Sequence, residues 1–182
     1  MRDLTKAPTG YTALQKSLHW ATVLMIALQW WTSGAVLRTH EFHPLGHRPD
    51  PADLFLHKVH IYGGVAVLGL VGARLFLRWR HGTPLPPPML SARVASLARS
   101  AHVILYAVLT GLVLTGLITT YFWFGMGRVH KGLVTVLYVM VTVHVGAVIW
   151  HDFVQRIGLL RRMLPQWRRW SSPPTRLPRD DA

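Results

Sequence analysis

Histidines in long apolar runs are the residues of this 182-residue chain best suited to chemistry. His19, His60, His130 and His144 each lie within or at the edge of such a run. An ionisable side chain in an apolar run is costly to bury, so it marks a functional site by default. A neutral imidazole binds transition metals through one ring nitrogen. The four positions therefore predict metal ligation.

Cysteine is absent from the chain. This excludes disulfides, Cys-ligated zinc, iron–sulfur clusters and haem attached through a C-x-x-C-H motif. Any metal or cofactor must therefore be held by the 11 histidines, the 7 Asp and Glu residues, or methionine.

Four apolar runs are the elements that would position these histidines. They cover about residues 17–37, 59–77, 101–124 and 132–150. A helix needs about 20 residues to cross the hydrocarbon core of a bilayer, and it satisfies its own backbone hydrogen bonds there. We therefore predict an all-α integral membrane four-helix bundle, formed by one domain over residues 1–170. Residues 171–182 are rich in proline and charge, which predicts a disordered cytoplasmic tail.

The charge distribution predicts the orientation of the bundle. The chain is 51% hydrophobic and 15% charged, with 20 Lys and Arg against 7 Asp and Glu and a net charge of +13. Fifteen of the basic residues fall on the side that holds both termini and five on the other. The positive-inside rule then places both termini in the cytoplasm. Topology thus accounts for the basic excess without nucleic-acid binding. The end with the termini is called the inner end below, and the opposite end the outer end.

Three connections follow from these runs. We predict an outer loop over 38–58, an inner loop over 79–99 and a short outer turn over 125–131. The inner loop contains the proline run 84–88, which cannot lie inside a helix. The histidines of the outer loop are interpreted as loop residues rather than as a metal site: His40, His43 and His47.

The depths of the four histidines suggest two pairs. His130 and His144 are 14 residues apart, which is about 21 Å along a helix and within about 40° of whole turns. They therefore share one helix face at two depths. His60 can meet His130 at the outer end, and His19 can meet His144 toward the inner end. The inner pair is less well matched, since His144 lies about 12 Å from the charged inner end and His19 about 4.5 Å.

Haem b fits such pairs best, because its iron accepts two axial imidazoles. Zinc would need four ligands, and no carboxylate lies within any run. We therefore predict two b haems. Gly64, on the same helix face as His60, would leave room for the outer one. Arg74, 14 residues after His60, would pair with a propionate of the inner one.

Other polar residues have open interpretations. His102 is either an ordinary core histidine, a residue of a quinone pocket, or the inner ligand in place of His19. His57 and His151 lie at the predicted interfaces, where solvation is the simpler interpretation, although His151 is also a candidate for a quinone or substrate site. Three basic residues surround the outer site and either anchor the interface or attract an anion such as superoxide: Lys58, Arg128 and Lys131.

Several short motifs resemble the bacterial four-helix cytochrome b561 family over about residues 10–165. They are SLHW at 17–20, VHIYGG at 59–64, ARL at 73–75, the proline stretch 83–88, AHVILY at 101–106, HDF at 151–153 and LRRMLP at 160–165, with His130 and His144 at their spacing. The resemblance implies that His19, His60, His130 and His144 ligate two b haems. It also implies electron transfer between membrane quinone and a partner across the bilayer, and some members resemble superoxide oxidases that reduce ubiquinone.

We therefore expect a multi-pass electron-transfer protein of the bacterial inner membrane, in contact with lipid and quinone. Its outer partner would be superoxide or a periplasmic redox protein. One alternative is a relay subunit that serves a separate dehydrogenase or periplasmic carrier. Another is a protein that transports or senses metal through its histidines.

Overall fold

The computed structural model describes residues 10–42 and 48–164, and every regular element in these ranges is helical. The long helices are α1 (Ala13–Phe42), α2 (Pro51–His81), α3 (Ala92–Tyr121) and α4 (Gly127–Ile149), and a short α5 covers Leu159–Met163. A 3-10 turn (Phe124–Met126) precedes α4 and a π turn (Trp150–Val154) continues it. Within the described ranges, four helical segments are long and apolar enough to cross a membrane. The all-α, four-span prediction is confirmed, whereas the tail 171–182 lies outside the described residues.

The helices extend beyond the predicted runs, and their ends correct the predicted connections. α1 continues to Phe42 and α2 begins at Pro51, so His40 belongs to α1, while His43 and His47 lie outside the described residues. The inner loop shrinks to 82–91. A helix of 30 residues is about 45 Å long, more than the hydrocarbon thickness of about 30 Å. The charged residues near its ends can therefore stay helical while their heads reach water.

The turn between α3 and α4 was predicted at 125–131, and this placement is wrong. The chain leaves α3 at Phe122 and enters α4 at Gly127, so Arg128, His130 and Lys131 lie in the first turns of α4. Gly125 makes this short turn possible, because a Cβ there would lie 2.7 Å from the Trp123 indole.

Local signals account for the bounds of α2 and α3. Asp50 caps α2 by accepting a 2.7 Å hydrogen bond from the Ala52 amide, with Pro51 at the first helical position. Ser91 caps α3 by accepting from the Val94 amide at 3.4 Å. Capping oxygens of this kind satisfy free helix N–H groups. Gly82 follows the last residue of α2 and caps the helix, with a φ of 73° that suits glycine. The proline run 84–88 follows in the loop as predicted.

The core lies between α2, α3 and α4. Its buried side chains are Val67, Val71, Val108, Leu109, Leu112, Val113 and Leu137. α1 packs along α2, where Gly63 is buried and a Cβ would lie 2.5 Å from Nε2 of Gln29. Many large apolar side chains, such as Leu24 and Phe153, face outward. In a bilayer these side chains contact lipid.

The segment after α4 folds back onto α1 at the inner end. Trp20 Nε1 donates to the carbonyl of Met163 at 2.9 Å, and Lys16 Nζ donates to that of Leu164 at 3.1 Å. Asp152 accepts from the Leu160 amide at 3.1 Å, and Gly158, with φ of 75°, permits the reversal. These bonds bring Met163 to the edge of the inner polar cavity described below.

Candidate functional site

A cavity of about 430 Å³ opens toward the outer end of the bundle. His60 of α2 and His130 of α4 both line it, so the structure brings the predicted outer pair to one cavity. Most of the wall is apolar and includes Val67, Val113 and Leu137. Gly64 also lines the cavity, in line with its predicted role of leaving room.

His60 is held by α1 through both its ring and its backbone. Its Nδ1 lies 3.0 Å from Oγ1 of the fully buried Thr32, and its carbonyl accepts from Nε2 of Gln29 at 3.0 Å. Thr32 Oγ1 donates to the Leu28 carbonyl at 2.9 Å. The hydroxyl has one proton and has used it there, so it must accept from Nδ1–H of His60. Nε2 of His60 therefore keeps the lone pair that a metal ligand needs.

His130 has the same tautomer for a related reason. Its Nδ1 lies 3.0 Å from the Leu112 carbonyl and 3.2 Å from Thr115 Oγ1. A carbonyl only accepts, so Nδ1 carries the proton. A Cβ at Gly116 would lie 3.2 Å from Cε1 of His130, so the missing side chain lets the ring approach α3.

The mouth of the outer cavity holds a second pair of histidines. The rings of His40 and His57 are 5.1 Å apart, and His57 Nδ1 lies 3.0 Å from Thr39 Oγ1. Nearby, Arg38 and Asp53 form a bidentate ion pair at 2.9 and 2.6 Å that ties α1 to α2. His57 is thus part of a bonded cluster rather than a freely solvated side chain.

The basic residues predicted for the outer site are placed differently from one another. Lys131 lines the outer cavity. Lys58 and Arg128 are exposed and are absent from its lining. Of the three, Lys131 is therefore the one placed to act on a ligand in the cavity.

At the inner end lie His19, His102, His144 and Arg74, and the ring in contact with His144 is that of His102, the alternative inner ligand, rather than that of His19. Arg74 Nη2 lies 3.1 Å from His19 Nδ1, and its guanidinium lies 5.4 Å from the centre of the Tyr106 ring. The rings of His102 and His144 are 5.3 Å apart, edge to face.

The two inner contacts imply opposite tautomers. An arginine only donates, so His19 Nδ1 accepts from Arg74 and the ring proton is on Nε2. His102 Nδ1 lies 2.6 Å from the Ala98 carbonyl, so there Nδ1 carries the proton. In this contact, the lone pair of His19 Nδ1 therefore faces Arg74.

A small polar cavity of about 40 Å³ lies beside this cluster. Two guanidiniums, two phenols and one imidazole line it: Arg74, Arg78, Tyr11, Tyr106 and His102. Burial raises the pKa of the Tyr11 phenol above its usual value, so the phenol stays neutral. Across residues 10–42 and 48–164, no carboxylate pairs with Arg74. The cavity therefore suits a small anion such as a carboxylate.

His151 lies apart from both cavities. It belongs to the π turn after α4, and its Nδ1 lies 2.7 Å from Oε1 of Gln155. The lining of neither cavity includes it. The described part of the chain also contains no group of three or more His, Cys, Asp or Glu side chains that could hold a bare metal ion.

Sequence reasoning missed the residues that hold the histidines. These are Thr32, Thr39, Thr115 and Gln29. One signal was present, since Thr32 and Thr39 are seven residues apart and so share a helix face. Their partners lie on another helix, which no local pattern identifies.

Comparisons with known proteins agree with one family. The model of a family described as prokaryotic cytochrome b561 matches residues 10–166. A protein of Yersinia pestis named probable superoxide oxidase CybB is 23% identical, with 87% of this chain and 97% of the relative covered. Cytochrome b561 homolog 1 of Escherichia coli K12 is 24% identical, with 86% and 97% covered. No solved structure shows a significant match.

Proposed function

Since the chain belongs to the prokaryotic cytochrome b561 family, and so is a haem b protein of membrane electron transfer, we propose that it carries electrons across the bacterial inner membrane through two b haems. One terminus of this path is the quinone pool, with ubiquinone as the substrate. The other is an electron donor at the outer side, for which we propose superoxide. The observation that carries the proposal is the placement of two fixed imidazoles on one apolar cavity, with a second histidine cluster at the opposite end.

The outer residues fit a b haem in their chemistry. His60 and His130 come from different helices, and both have the proton on Nδ1, so Nε2 of each would be free to bind a haem iron. Such a second bond from the other ring nitrogen is usual for metal-ligating histidines. The apolar wall suits a macrocycle held without covalent attachment. We therefore assign these two residues as ligands of the outer haem.

For the inner haem we assign His19 and His144, with Arg74 as partner of a propionate. Ligation by His19 through Nε2 requires the proton on Nδ1, and Arg74 can then no longer donate there. The guanidinium needs another acceptor, which a propionate carboxylate would supply. His102, between His144 and the polar cavity, remains in this proposal a residue beside the site.

A bound b haem supplies one-electron redox chemistry, while the protein supplies ligation, exclusion of water and charge compensation. Superoxide releases one electron and becomes O₂, so two superoxide ions and two protons convert one quinone to quinol. Lys131, on the outer cavity, would favour approach of the anion through its positive field. The relative named as a probable superoxide oxidase supports this choice of donor.

The test uses purified protein in detergent with a pyridine haemochrome assay. We expect two b haems per chain, rapid reduction by a pulse of superoxide, and reoxidation by ubiquinone. Absence of b-type bands contradicts the whole proposal. Haem that is inert to superoxide but reduced by a co-encoded dehydrogenase or periplasmic protein rejects superoxide as donor and identifies a relay subunit instead.

Because the chain lacks cysteine, single introduced cysteines can test the proposed orientation without background labelling. Met89 in the inner loop and Phe122 at the outer turn are both strongly exposed, at 72% and 84%. In intact spheroplasts, we expect a membrane-impermeant maleimide to label Phe122→Cys and to spare Met89→Cys until the membrane is opened. The reverse pattern shows that the bundle is inverted and that both termini face outward.

A further inference from the structure

The outer pair of histidines is held by threonines in a way that family membership does not assign. We propose that Thr32 and Thr115 are positioning residues that hold the axial imidazoles of the outer haem in the Nδ1–H form and thereby lower the reduction potential of that haem. This inference rests on the proposed function, in which His60 and His130 are the axial ligands.

At Thr32, two hydrogen bonds in series link the His60 ring to the Thr32 hydroxyl and the hydroxyl to a helix carbonyl. The Thr32 hydroxyl donates to the Leu28 carbonyl of its own helix at 2.9 Å and accepts from His60 Nδ1 at 3.0 Å. A second carbonyl, of Gln29, lies 3.2 Å from the same hydroxyl, so its proton stays with the helix in either arrangement. Thr32 is fully buried, and water cannot replace the hydroxyl there. Among the described residues, no other acceptor bonds Nδ1 of His60.

At Thr115, a similar pair of hydrogen bonds is accompanied by a second acceptor for the histidine proton. Thr115 Oγ1 donates to the Gly111 carbonyl at 2.7 Å and lies 3.2 Å from His130 Nδ1. The Leu112 carbonyl accepts from the same Nδ1 at 3.0 Å. Without its threonine, His130 therefore keeps one acceptor for the Nδ1 proton, whereas no other residue in the described ranges bonds Nδ1 of His60. The two positions should differ in effect, and Thr32 should be the stronger.

The consequence for the haem follows from the basicity of the ligands. An imidazole that donates from Nδ1 to a fixed acceptor is a more basic ligand through Nε2. A more basic ligand stabilises the ferric form over the ferrous form, which lowers the potential. At the inner end, no threonine hydroxyl of the described residues bonds to His19 or His144. The effect of the threonines should therefore be confined to the outer haem.

The test is a redox titration of the holoprotein with Thr32→Val, Thr32→Ser and Thr115→Val. Loss of a partner that supports a metal ligand typically weakens metal binding at least about tenfold. If Thr32→Val weakens binding of the ferric haem by about this factor relative to the ferrous haem, the potential of the outer haem should rise by about 59 mV. Thr115→Val should shift it by less than half as much, because Leu112 remains. Thr32→Ser, which keeps the hydroxyl, should retain the native potential of the outer haem. The low-spin ferric EPR signal of the outer haem should shift with the potential.

Two matched variants separate this role from loss of a buried hydroxyl. Thr22 is almost fully buried and its hydroxyl donates only to the Leu18 carbonyl, at 2.7 Å. Thr39 bonds a histidine, His57, that we do not assign as a ligand. We expect Thr22→Val and Thr39→Val to leave both potentials and the EPR signal unchanged.

The inference is overturned if Thr32→Val titrates like Thr22→Val, if Thr32→Ser behaves like Thr32→Val, or if the inner haem shifts as far as the outer one. Should Thr32→Val fail to hold haem, the Thr32→Ser and Thr115→Val titrations still decide it. Failure of the proposed function is seen separately, as an outer haem that persists when His60 and His130 are replaced.

Discussion

Replacement of His130 by alanine should leave one b haem per chain instead of two. The imidazole of His130 is fixed by Leu112 and lines the same cavity as His60, and no other described histidine of α4 lies at that end. Without the His130 imidazole, the outer haem would be held by a single protein ligand, so it should be lost on purification while the inner one stays. Haem per chain by pyridine haemochrome, against protein by amino-acid analysis, measures the change.

His144→Ala should give the reverse result, with the outer haem retained and the inner one lost. Two control variants come from the same chain. His57 is fixed by Thr39 near His60, and His151 is bonded to Gln155 beyond the inner end of α4. His57→Ala and His151→Ala should both keep two haems. If either His130→Ala or His144→Ala also keeps two, the ligand assignment is wrong at that position.

The same assay separates His19 from His102. The ring nearest to His144 is that of His102, while the assignment by depth and family places the ligand at His19. We expect His19→Ala to lose the inner haem and His102→Ala to keep it. The opposite outcome would make His102 the ligand and would leave His19 as a partner of Arg74.

The four helices and the two levels of histidines could be predicted, because both follow from spacing along one helix. The length of an apolar run predicts a span, and the 14-residue separation of His130 and His144 predicts their depth difference. Neither argument uses information from another part of the chain. Both ends of the bundle indeed carry a histidine cluster.

Helix ends were predicted less well because charge was taken as a sign of a loop. Arg128 and Lys131 lie in the first turns of α4, since a long basic side chain can reach water from a helix at the interface. Lys16 lies at the inner end, on the side to which its charge was assigned, but it is only 9% exposed and donates to the carbonyl of Leu164. That burial depends on a segment 148 residues away.

The partners of the histidines could not be predicted, for a related reason. A threonine inside an apolar helix bonds its own backbone in isolation, and Thr32 does so here. Its second role appears only when α2 brings His60 to it. In the same way, the spacing places His144 on the same helix face as His130, but it does not identify the ring that His144 contacts.

Replacement of Arg74 by leucine should weaken retention of the inner haem about tenfold to a hundredfold, the usual range for loss of a group that supports a metal site. Arg74 is half-buried, contacts His19 and the Tyr106 ring, and has no carboxylate partner in the described part of the chain. A propionate would supply that partner. When the Arg74 guanidinium leaves His19 for the propionate, Nδ1 of His19 becomes free to take the proton that ligation requires. Without the guanidinium, the propionate would lie in the half-buried site without a counter-charge.

Transfer of haem from the holoprotein to apomyoglobin measures this retention. We expect the faster transfer in Arg74→Leu to involve the inner haem alone, with the outer haem as an internal control. The rate of haem transfer from Arg74→Lys should lie between those of the native protein and Arg74→Leu, because an ammonium keeps the charge but cannot bond a carboxylate through two parallel N–H groups. Arg78 lines the same polar cavity without contacting His19, so Arg78→Leu should change transfer far less. Equal transfer rates in the Arg74 and Arg78 variants would show that the cavity acts only through its overall charge, and native retention in Arg74→Leu would remove the propionate from the proposal.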